Sequence, residues 1–331
     1  MIKKNIALVA GGYSGEYVIS MQSAVTIREH IDKKRYQVYT IAITREGWFY
    51  TDPSGHRTEI DKNDFSLTLD SKKIVFDAVF IGIHGTPGED GKLQGYFDML
   101  QIPYTSCGAI TSALTFNKSY CNKAVAALNI VHVARSVHIF RDQSFDDAAI
   151  AGSLRFPVFV KPAEGGSSLG VSKVISPSEE LGLAIGKAFK EDSQALIEEY
   201  VKGRELTCGL FRSKDKIIIL PVTEIISGKD FFDFEAKYTP GVSREITPAP
   251  IDDSTTELVQ KTAEKLYCAL NCRGIVRMDF ILEENTGQLY FLEVNTMPGQ
   301  SENSIVPQQV KAAGISLTDF YGMLIEACLP K

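Results

Sequence analysis

Apolar runs alternate with segments of helical spacing along the first hundred residues. The apolar runs predict five strands, at residues 5–10, 36–44, 47–50, 76–85 and 102–106. The run at 76–85 is apolar at nearly every position, as in a sheet that is covered on both faces. Helical spacing near 20–31 and 92–100 places helices between the strands. This β-α-β order predicts a small parallel sheet with helices packed on it.

The pattern changes after about residue 109. Two short helices are predicted first, at 110–117 and 119–128, and a helix of about fifteen residues is predicted after Pro177. Apolar runs between and after them predict strands at 133–140, 156–162, 171–176 and 195–201. Strands in this order, with few helices between them, predict hairpin pairing and a second unit of α+β character.

A third set of elements begins near residue 203. Strands are predicted at 206–212, 216–226, 274–282 and 288–296, a long helix at 253–270, and two helices at the end of the chain. Residues 226–250 lack periodicity, and a loop of that length is usually a functional lid or a disordered segment. We therefore predict a mixed α/β and α+β protein of three domains, at 1–106, 107–200 and 201–331.

Composition excludes several classes of function. The chain has 331 residues, of which 44% are hydrophobic and 23% charged, and its net charge is -6. Charges of both signs are interspersed, so neither a nucleic acid nor a membrane surface is predicted as a partner. The first apolar run is too short for a signal sequence, and no run approaches the ~20 residues of a membrane span. We expect a cytoplasmic protein whose six cysteines are small buried hydrophobes.

The two strands around residue 286 carry an unusual polar pattern. Alternate residues of a strand share a face, so Arg277 lies beside Asp279, and Glu293 lies beside Asn295. A hairpin centred on residue 286 would set Asp279 opposite Glu293 and Arg277 opposite Asn295. Two carboxylates and an amide oxygen on one face suit Mg²⁺, whereas bare opposed carboxylates would repel each other. The alternative is a solvent-facing polar side of the sheet.

A lysine and a glycine-serine loop follow a strand in FVKPAEGGSSLGVSKV, residues 159–174. Lys161 ends an apolar strand and needs an anionic partner if it is buried. The loop that follows offers close backbone N–H groups and the hydroxyls of Ser167 and Ser168, which suits phosphate. The alternative is a Gly-Ser hairpin with a structural lysine. Glu198 and Glu205 could accept hydrogen bonds from adenine and ribose, or could be ordinary surface glutamates.

Seven motifs in order make the chain resemble the D-alanine–D-alanine ligases, a family of ATP-grasp enzymes. They are GGYSGEYVIS (11–20), HGTPGEDGKLQGYFDMLQIPYTSCG (84–108), KPAEGGSSLGVSKV (161–174), EEYVKGREL (198–206), FEAKY (234–238), RMDF (277–280) and LEVNTMPGQSENSIVP (292–307). The resemblance implies a three-domain ATP-grasp fold, with the nucleotide held between two antiparallel sheets. It also implies that ATP activates one D-alanine as an acylphosphate, which a second D-alanine attacks, for peptidoglycan precursor synthesis.

The resemblance implies a role for each residue of the nucleotide and metal site. Lys118, Lys161 and Lys237 would contact phosphates, under a loop that carries Ser167 and Ser168. Glu198 and the backbone of Glu199 and Val201 would bind adenine, and Glu205 would bind ribose. Asp279, Glu293 and Asn295 would hold two Mg²⁺ ions, a place that Mn²⁺ could also take.

The resemblance likewise implies two D-alanine sites and a homodimer. Glu16, with His84 nearby, would bind the first D-alanine, and Ser304 and Ile305 the second. Arg277 and the N–H of Gly299 would form the oxyanion site. Ser167, Tyr238 and Glu16 would form a hydrogen-bonded link to the mobile loop.

Four alternatives stay open at the level of the sequence. Three keep the fold and the catalysis: a D-alanine–D-serine ligase, a D-alanine–D-lactate ligase, or another ATP-grasp carboxylate–amine ligase. The fourth is a non-catalytic nucleotide-binding or regulatory module. Tyr238 favours a dipeptide product over the lactate ester. The sequence departs from the family pattern at 116–118 (FNK), after Glu16 and at Gln300.

Overall fold

The computed structural model describes residues 2–166, 169–177, 179–227 and 243–330. Four predicted site residues, Ser167, Ser168, Lys237 and Tyr238, lie outside these ranges, as does most of the predicted loop at 226–250. The described chain contains a five-stranded sheet, a four-stranded sheet, a seven-stranded sheet and a two-stranded hairpin. None of its helices is long and apolar enough to cross a membrane.

The N-terminal sheet has the strand order β4-β3-β2-β1-β7. Its strands are β1 (Lys4–Gly11), β2 (Tyr36–Ile43), β3 (Trp48–Thr51), β4 (Arg57–Glu59) and β7 (Ala78–Ile81), and β5 (Leu67–Leu69) and β6 (Lys72–Ile74) form a separate hairpin. The prediction of a parallel sheet is right for β2, β1 and β7, but β3 and β4 run antiparallel. The links into β3 and β4 are too short for a crossover, so these strands can only form hairpins. The strand predicted at 102–106 is reduced to one bridge, between Val79 and Tyr104.

Both faces of this sheet are buried, as the apolar run at 76–85 predicted. Along β1, Ile6 and Leu8 join a core that contains α1 (Tyr17–His30), whereas Ala7 and Val9 join the opposite core with α2 (Lys92–Met99). The alternation follows from the two-residue period of a strand. Because the sheet is fixed from both sides, the loops after β1 and β7 are carried on a rigid support.

The central sheet is antiparallel, with the order β11-β10-β12-β9. Its strands are β9 (Ser136–Phe140), β10 (Val158–Pro162), β11 (Ser172–Val174) and β12 (Gln194–Glu199), with α5 (Asp147–Ser153) and α6 (Glu179–Glu191) on one face. Leu181, Ile185 and Ala188 of α6 pack on Val158 and Ile197 of the sheet. With this face covered by helices, the opposite face is left to form a wall of the cleft described below.

The third sheet is larger, with the order β16-β15-β13-β17-β18-β8 and β14 paired to β13. Its strands are β8 (His132–Val133), β13 (Gly203–Ser213), β14 (Lys216–Ile219), β15 (Thr223–Ser227), β16 (Ser243–Ile246), β17 (Ile275–Glu283) and β18 (Leu289–Asn295). The single strand predicted at 216–226 is wrong, because it is broken at Pro221, which has no N–H to donate to a ladder. Residues 243–246, predicted as loop, pair with β15.

The remaining helices surround the large sheet. They are α3 (Ala109–Phe116), α4 (Lys118–Leu128), α7 (Asp253–Ala269), α8 (Ile305–Ala312) and α9 (Leu317–Cys328). Cys107, Cys121 and Val125, at the start of the predicted central domain, share a core with Leu206 and Leu266 of the large sheet and α7. The segment that contains α3 and α4 therefore packs on the third unit. Five of the six cysteines are buried or half-buried, whereas Cys268 is exposed, contrary to its prediction.

Candidate active site

A cleft of about 1040 Å³ lies between the central and the large sheet and reaches the loops after β1 and β7. All fifteen predicted site residues within the described ranges line it: Glu16, His84, Lys118, Lys161, Glu198, Glu199, Val201, Glu205, Arg277, Asp279, Glu293, Asn295, Gly299, Ser304 and Ile305. They come from all three predicted domains and are brought together only by the tertiary fold. The roles that the resemblance gives them remain predictions.

The β17–β18 hairpin confirms the predicted pairing at the site. Arg277 lies opposite Asn295, and Asp279 lies opposite Glu293. Near the turn the register differs by one residue, since Leu282 pairs with Leu289, and a bulge after Asp279 restores the predicted pairs. A bulge re-aims the side chains beside it, and here it keeps both carboxylates on the cleft face.

Asp279 is the centre of a hydrogen-bonded cluster. The Arg277 guanidinium donates to both carboxylate oxygens, over 2.9 and 2.8 Å, and the Thr207 hydroxyl donates to Oδ1 over 2.5 Å. Burial alone would lower the pKa of Arg277, but the charge and hydrogen bonds of Asp279 raise it above its ordinary value. Arg277 is therefore a fixed, fully protonated cation at the floor of the cleft.

The hairpin supplies a donor set that fits Mg²⁺. Asn295 Nδ2 lies 2.9 Å from Asp279 Oδ2 and 3.5 Å from Glu293 Oε1, so the amide reaches both carboxylates. A half-turn of the amide would present its oxygen in place of its nitrogen. Within the described ranges no cluster of three His, Cys, Asp or Glu side chains suited to a metal occurs, and the amide oxygen of Asn295 is the predicted third ligand. Two carboxylates with room for substrate phosphate are the usual protein share of a Mg²⁺ site.

Lys161 has the anionic partner that its burial requires. Its ammonium lies 2.5 Å from Glu198 Oε2, with the two side chains only 11% and 6% exposed. Glu198 faces Phe159 across the β10–β12 ladder, so Lys161, two residues on, shares its face. Asn122 Nδ2 of α4 donates to the other oxygen of Glu198 over 2.8 Å. The predicted adenine and phosphate residues are thus joined into one buried group.

The side chain of Glu199 binds Arg155, whereas the predicted role of Glu199 in adenine binding belongs to its backbone. It accepts hydrogen bonds from the backbone N–H and the guanidinium of Arg155, at 2.9, 3.0 and 2.7 Å. Burial would raise the pKa of Glu199, but Arg155 lowers it below its ordinary value. The ion pair anchors the end of β12, where the chain passes Val201 and enters β13 with Glu205 on the cleft side.

Lys118 connects the start of the glycine-serine loop to the β17–β18 hairpin. Its ammonium donates to Gly165 O over 2.7 Å and lies 4.0 Å from Glu293 Oε2. Asn117, which is part of the FNK departure from the family pattern, caps α4 by accepting from Tyr120 N over 3.1 Å. The departure therefore preserves a favourable helix start directly before the lysine.

Glycines bring the loops after β1 and β7 close to the cleft. A Cβ on Gly166 would lie 2.7 Å from a carboxylate oxygen of Glu16, and one on Gly85 would lie 3.2 Å from the same oxygen. His84 is buried, and this burial lowers the pKa of its imidazole. The Glu16 carboxylate therefore lies between two glycine backbones, at the N-terminal end of α1.

Ser304 and Gly299 approach each other at the other end of the cleft. A Cβ on Gly299 would lie 2.8 Å from Ser304 Oγ, which is itself 2.7 Å from Ser301 Oγ. Ser304 is the residue before α8, and Ile305 is the first residue of that helix. The predicted oxyanion N–H and the predicted second-substrate serine are therefore neighbours.

Glu89 also lines the cleft and was missed by the sequence analysis. Its two oxygens accept from Gly85 N over 3.0 Å and from Met297 N over 3.4 Å. Burial and the nearby charge of Glu16 raise the pKa of Glu89 to about 7. The residue stands within the motif at 84–108, in a glycine-flanked turn. A carboxylate in a glycine-flanked turn is the sequence signal that could have identified Glu89 as a site residue.

The buried Lys161–Glu198 pair gives a stability prediction. Lys161→Ala leaves the Glu198 charge buried with Asn122 as its one donor among the described residues, and we expect the free energy of unfolding to fall by about 3 kcal/mol. Urea denaturation measures the change. The matched control is Lys202→Ala, which breaks an exposed pair with Glu284 and should cost at most about 1 kcal/mol. Equal losses in the two variants would contradict the inferred burial cost.

Comparison with known proteins identifies the family. Residues 5–107 match the family model for the D-ala D-ala ligase N-terminus, and residues 125–326 match that for the D-ala D-ala ligase C-terminus. D-alanine--D-alanine ligases of Parabacteroides distasonis and Azobacteroides pseudotrichonymphae are 45% and 46% identical to the chain. The matches cover 98% of this chain in both cases, and 97% and 99% of the two relatives.

Solved structures agree with this relationship. The D-alanyl-alanine synthetase A of Vibrio cholerae is 30% identical with a TM-score of 0.89, and coverage is 99% of both chains. The VanG D-Ala:D-Ser ligase of Enterococcus faecalis is 33% identical with a TM-score of 0.87, and coverage is 98% of this chain and 99% of that one. The chain therefore belongs to the D-alanine–D-alanine ligase family and has its ATP-grasp fold.

Proposed function

We propose that the cleft between the two sheets carries out the reaction of this family with the residues assembled there. The chain is an ADP-forming ligase that uses ATP to join two D-alanines, a step of peptidoglycan precursor synthesis. Its chemistry uses ATP and a divalent metal, for which we propose two Mg²⁺ ions. The observation that carries the residue assignment is the convergence of Arg277, Asp279, Glu293 and Asn295 on one cleft face.

The first step activates a carboxylate, because a free carboxylate is a poor electrophile. The carboxylate of the first D-alanine attacks the γ-phosphorus of ATP, which yields an acylphosphate and ADP. Lys118 and Lys161, both of which line the cleft, bring positive charge to the polyphosphate. Metal ions held by Asp279, Glu293 and Asn295 would neutralise phosphate charge.

The second step is acyl transfer. The free amine of the second D-alanine attacks the acylphosphate carbon, and the tetrahedral intermediate expels phosphate and gives the peptide bond. Arg277 and the Gly299 N–H stabilise the developing oxyanion, the kind of preorganised charge stabilisation that contributes most to acyl transfer. Ser304 holds the carboxylate of the attacking D-alanine.

Glu16 sets the position of the first D-alanine. Its carboxylate lies between Gly85 and Gly166 and pairs with the substrate ammonium. From the family resemblance we propose that Ser167, Ser168, Lys237 and Tyr238, which lie outside the described residues, also act on phosphate and substrate at this site. Exclusion of water from the site would protect an acylphosphate that would otherwise hydrolyse.

A second candidate is the use of D-serine as the acceptor. The resemblance to the Enterococcus faecalis protein, which is a D-Ala:D-Ser ligase by name, extends over almost the whole chain. An apolar pocket discriminates weakly against one added hydroxyl. D-Alanine remains the favoured acceptor, because curated relatives that are 45% and 46% identical to the chain are named D-alanine--D-alanine ligases.

Phosphate release with single and paired amino acids tests the substrate. We expect Mg²⁺- and ATP-dependent release with D-alanine and little with glycine, L-alanine or D-lactate. Adding D-serine to limiting D-alanine, with mass analysis of the product, measures acceptor choice. If ATP binds but no D-amino acid stimulates release, the proposed ligase reaction is wrong.

The remaining assignments concern organisation. We propose a homodimer that acts in the cytoplasm, where ATP is available, and three domains at 1–106, 107–200 and 201–331. α3 and α4, at the start of the proposed 107–200 domain, pack on the core of the large sheet and so bridge the central and third domains. Light scattering of the purified chain measures the oligomeric state, and a monomeric mass at working concentration would contradict the dimer.

A further inference from the structure

The segment that carries the Gly299 N–H has no regular structure. Residues 296–300 follow β18 without helix or strand, so the ladder does not fix their position. An oxyanion donor must nevertheless lie about 2.7–3.1 Å from the developing charge. Tertiary contacts therefore have to hold this segment in place.

Met297 is held at both of its backbone groups by the loop after β7. Its carbonyl oxygen lies 2.7 Å from His84 Nδ1, and its N–H donates to Glu89 Oε1 over 3.4 Å. The other oxygen of Glu89 accepts from Gly85 N over 3.0 Å, which ties the glutamate to its own loop. The N-terminal unit thus holds one residue of the segment at both its N–H and its carbonyl group.

The hydrogen-bond directions extend this contact to Ser23 of α1. A carbonyl only accepts, so His84 Nδ1 carries the proton, and in the neutral ring that burial favours, Nε2 is an acceptor. Nε2 lies 3.1 Å from Ser23 Oγ, so the serine hydroxyl donates to it. Ser23 Oγ in turn accepts from Gln300 N over 3.2 Å. Each group in this series of hydrogen bonds is therefore assigned consistently as a donor or an acceptor.

We propose that Ser23, His84 and Glu89 form a clamp that positions residues 297–300 and thereby aims the Gly299 N–H at the oxyanion. The proposal rests on the oxyanion role given to Gly299 in the proposed function. Ser23 and Glu89 are positioning residues, and His84, with both ring nitrogens used inside the protein, acts the same way. The clamp joins residues 208 to 277 positions apart in the sequence.

Ser23→Ala tests the clamp without touching the cleft, since Ser23 does not line it. The change removes the donor to His84 and the acceptor for Gln300 N. We expect kcat for dipeptide synthesis to fall roughly 10- to 100-fold with KM for ATP unchanged, as for a small misplacement of a catalytic group. Ser23→Thr, which keeps the hydroxyl, should recover most of the loss.

Ser20→Ala is the matched control. Ser20 is equally buried on the same helix and also makes two hydrogen bonds, but to Gly11 and Gly82 within the N-terminal unit. It should lower stability by a similar amount and leave kcat within about twofold. Wild-type kcat in Ser23→Ala, or equal kcat losses in the two alanine variants, would overturn the clamp.

Glu89→Gln gives a second, independent variant. The amide oxygen can accept from only one of the two N–H groups, while the amide NH₂ faces the other. We expect lower kcat and weaker binding of a dipeptide phosphinate, whose tetrahedral centre mimics the intermediate, with ATP binding unchanged. Unchanged phosphinate affinity would overturn the clamp. Loss of phosphate release in every variant, with D-alanine inactive on the wild type as well, would instead contradict the proposed function.

Discussion

Arg277→Ala should lower the rate of dipeptide synthesis by about 10²–10³ or more while ATP still binds. The guanidinium is held through Nε and Nη2 by the carboxylate of Asp279. Its removal takes away fixed charge where the oxyanion develops. The measurements are kcat by phosphate release and the ATP dissociation constant by calorimetry at saturating Mg²⁺.

Arg277→Lys is the control for geometry. It keeps the positive charge but cannot make the two parallel hydrogen bonds to Asp279, so we expect an intermediate rate. Asp279 keeps the Thr207 hydroxyl as a donor in both variants, which should preserve the metal site. Synthesis at close to the wild-type rate in Arg277→Ala would show that the oxyanion assignment is wrong.

The β17–β18 hairpin shows what the spacing of residues along a strand can predict by itself. The period of two residues predicted that Arg277, Asp279, Glu293 and Asn295 share a face, and the observed pairs agree. The single register assumed from residue 286 does not hold near the turn, where the pairs differ by one. A bulge has no clear sequence signal here, yet it places the predicted pairs correctly. Local alternation was therefore more reliable than strand register.

Lys161 shows what elementary energetics adds to a motif. Burial of a lysine requires an anion, and the sequence offered phosphate as that partner. The structure supplies Glu198 as well, through the diagonal contact between β10 and β12. Which strand pairs with β10 depends on the fold, so the partner could not be derived from the lysine and its loop.

Ser23 and Glu89 show why the remainder of the site was not predicted. Each acts on a segment more than 200 residues away and belongs to no pattern of spacing that links the two. Their importance follows only from the irregular backbone at 296–300, which needs support from another unit. The antiparallel direction of β3, the strand β4 and the break at Pro221 were missed for a local reason, since apolar runs do not reveal pairing direction or ladder gaps.

Glu293→Gln should raise the Mg²⁺ concentration required for half-maximal activity by about tenfold or more. Mutating a residue that only supports a metal ligand typically lowers metal affinity by about 10- to 100-fold, and loss of a ligand itself should cost at least as much. The side chain keeps its size, but the donor set loses one of two carboxylates, and Mg²⁺ prefers charged oxygen ligands. Mg²⁺ titration of phosphate release at saturating ATP and D-alanine measures the change. High Mg²⁺ should recover much of the activity, because the other ligands remain.

Glu284→Gln is the matched control for that titration. Glu284 lies in the turn of the same hairpin and pairs with Lys202 at the surface, so its loss removes equal charge far from the cleft face. Glu293 also lies 4.0 Å from Lys118, and a general effect of charge on phosphate binding would raise KM for ATP at every Mg²⁺ concentration. If Glu293 is a metal ligand, KM for ATP in Glu293→Gln should instead return toward the wild-type value as the Mg²⁺ concentration rises. An unchanged Mg²⁺ titration in Glu293→Gln would contradict the metal site on the hairpin.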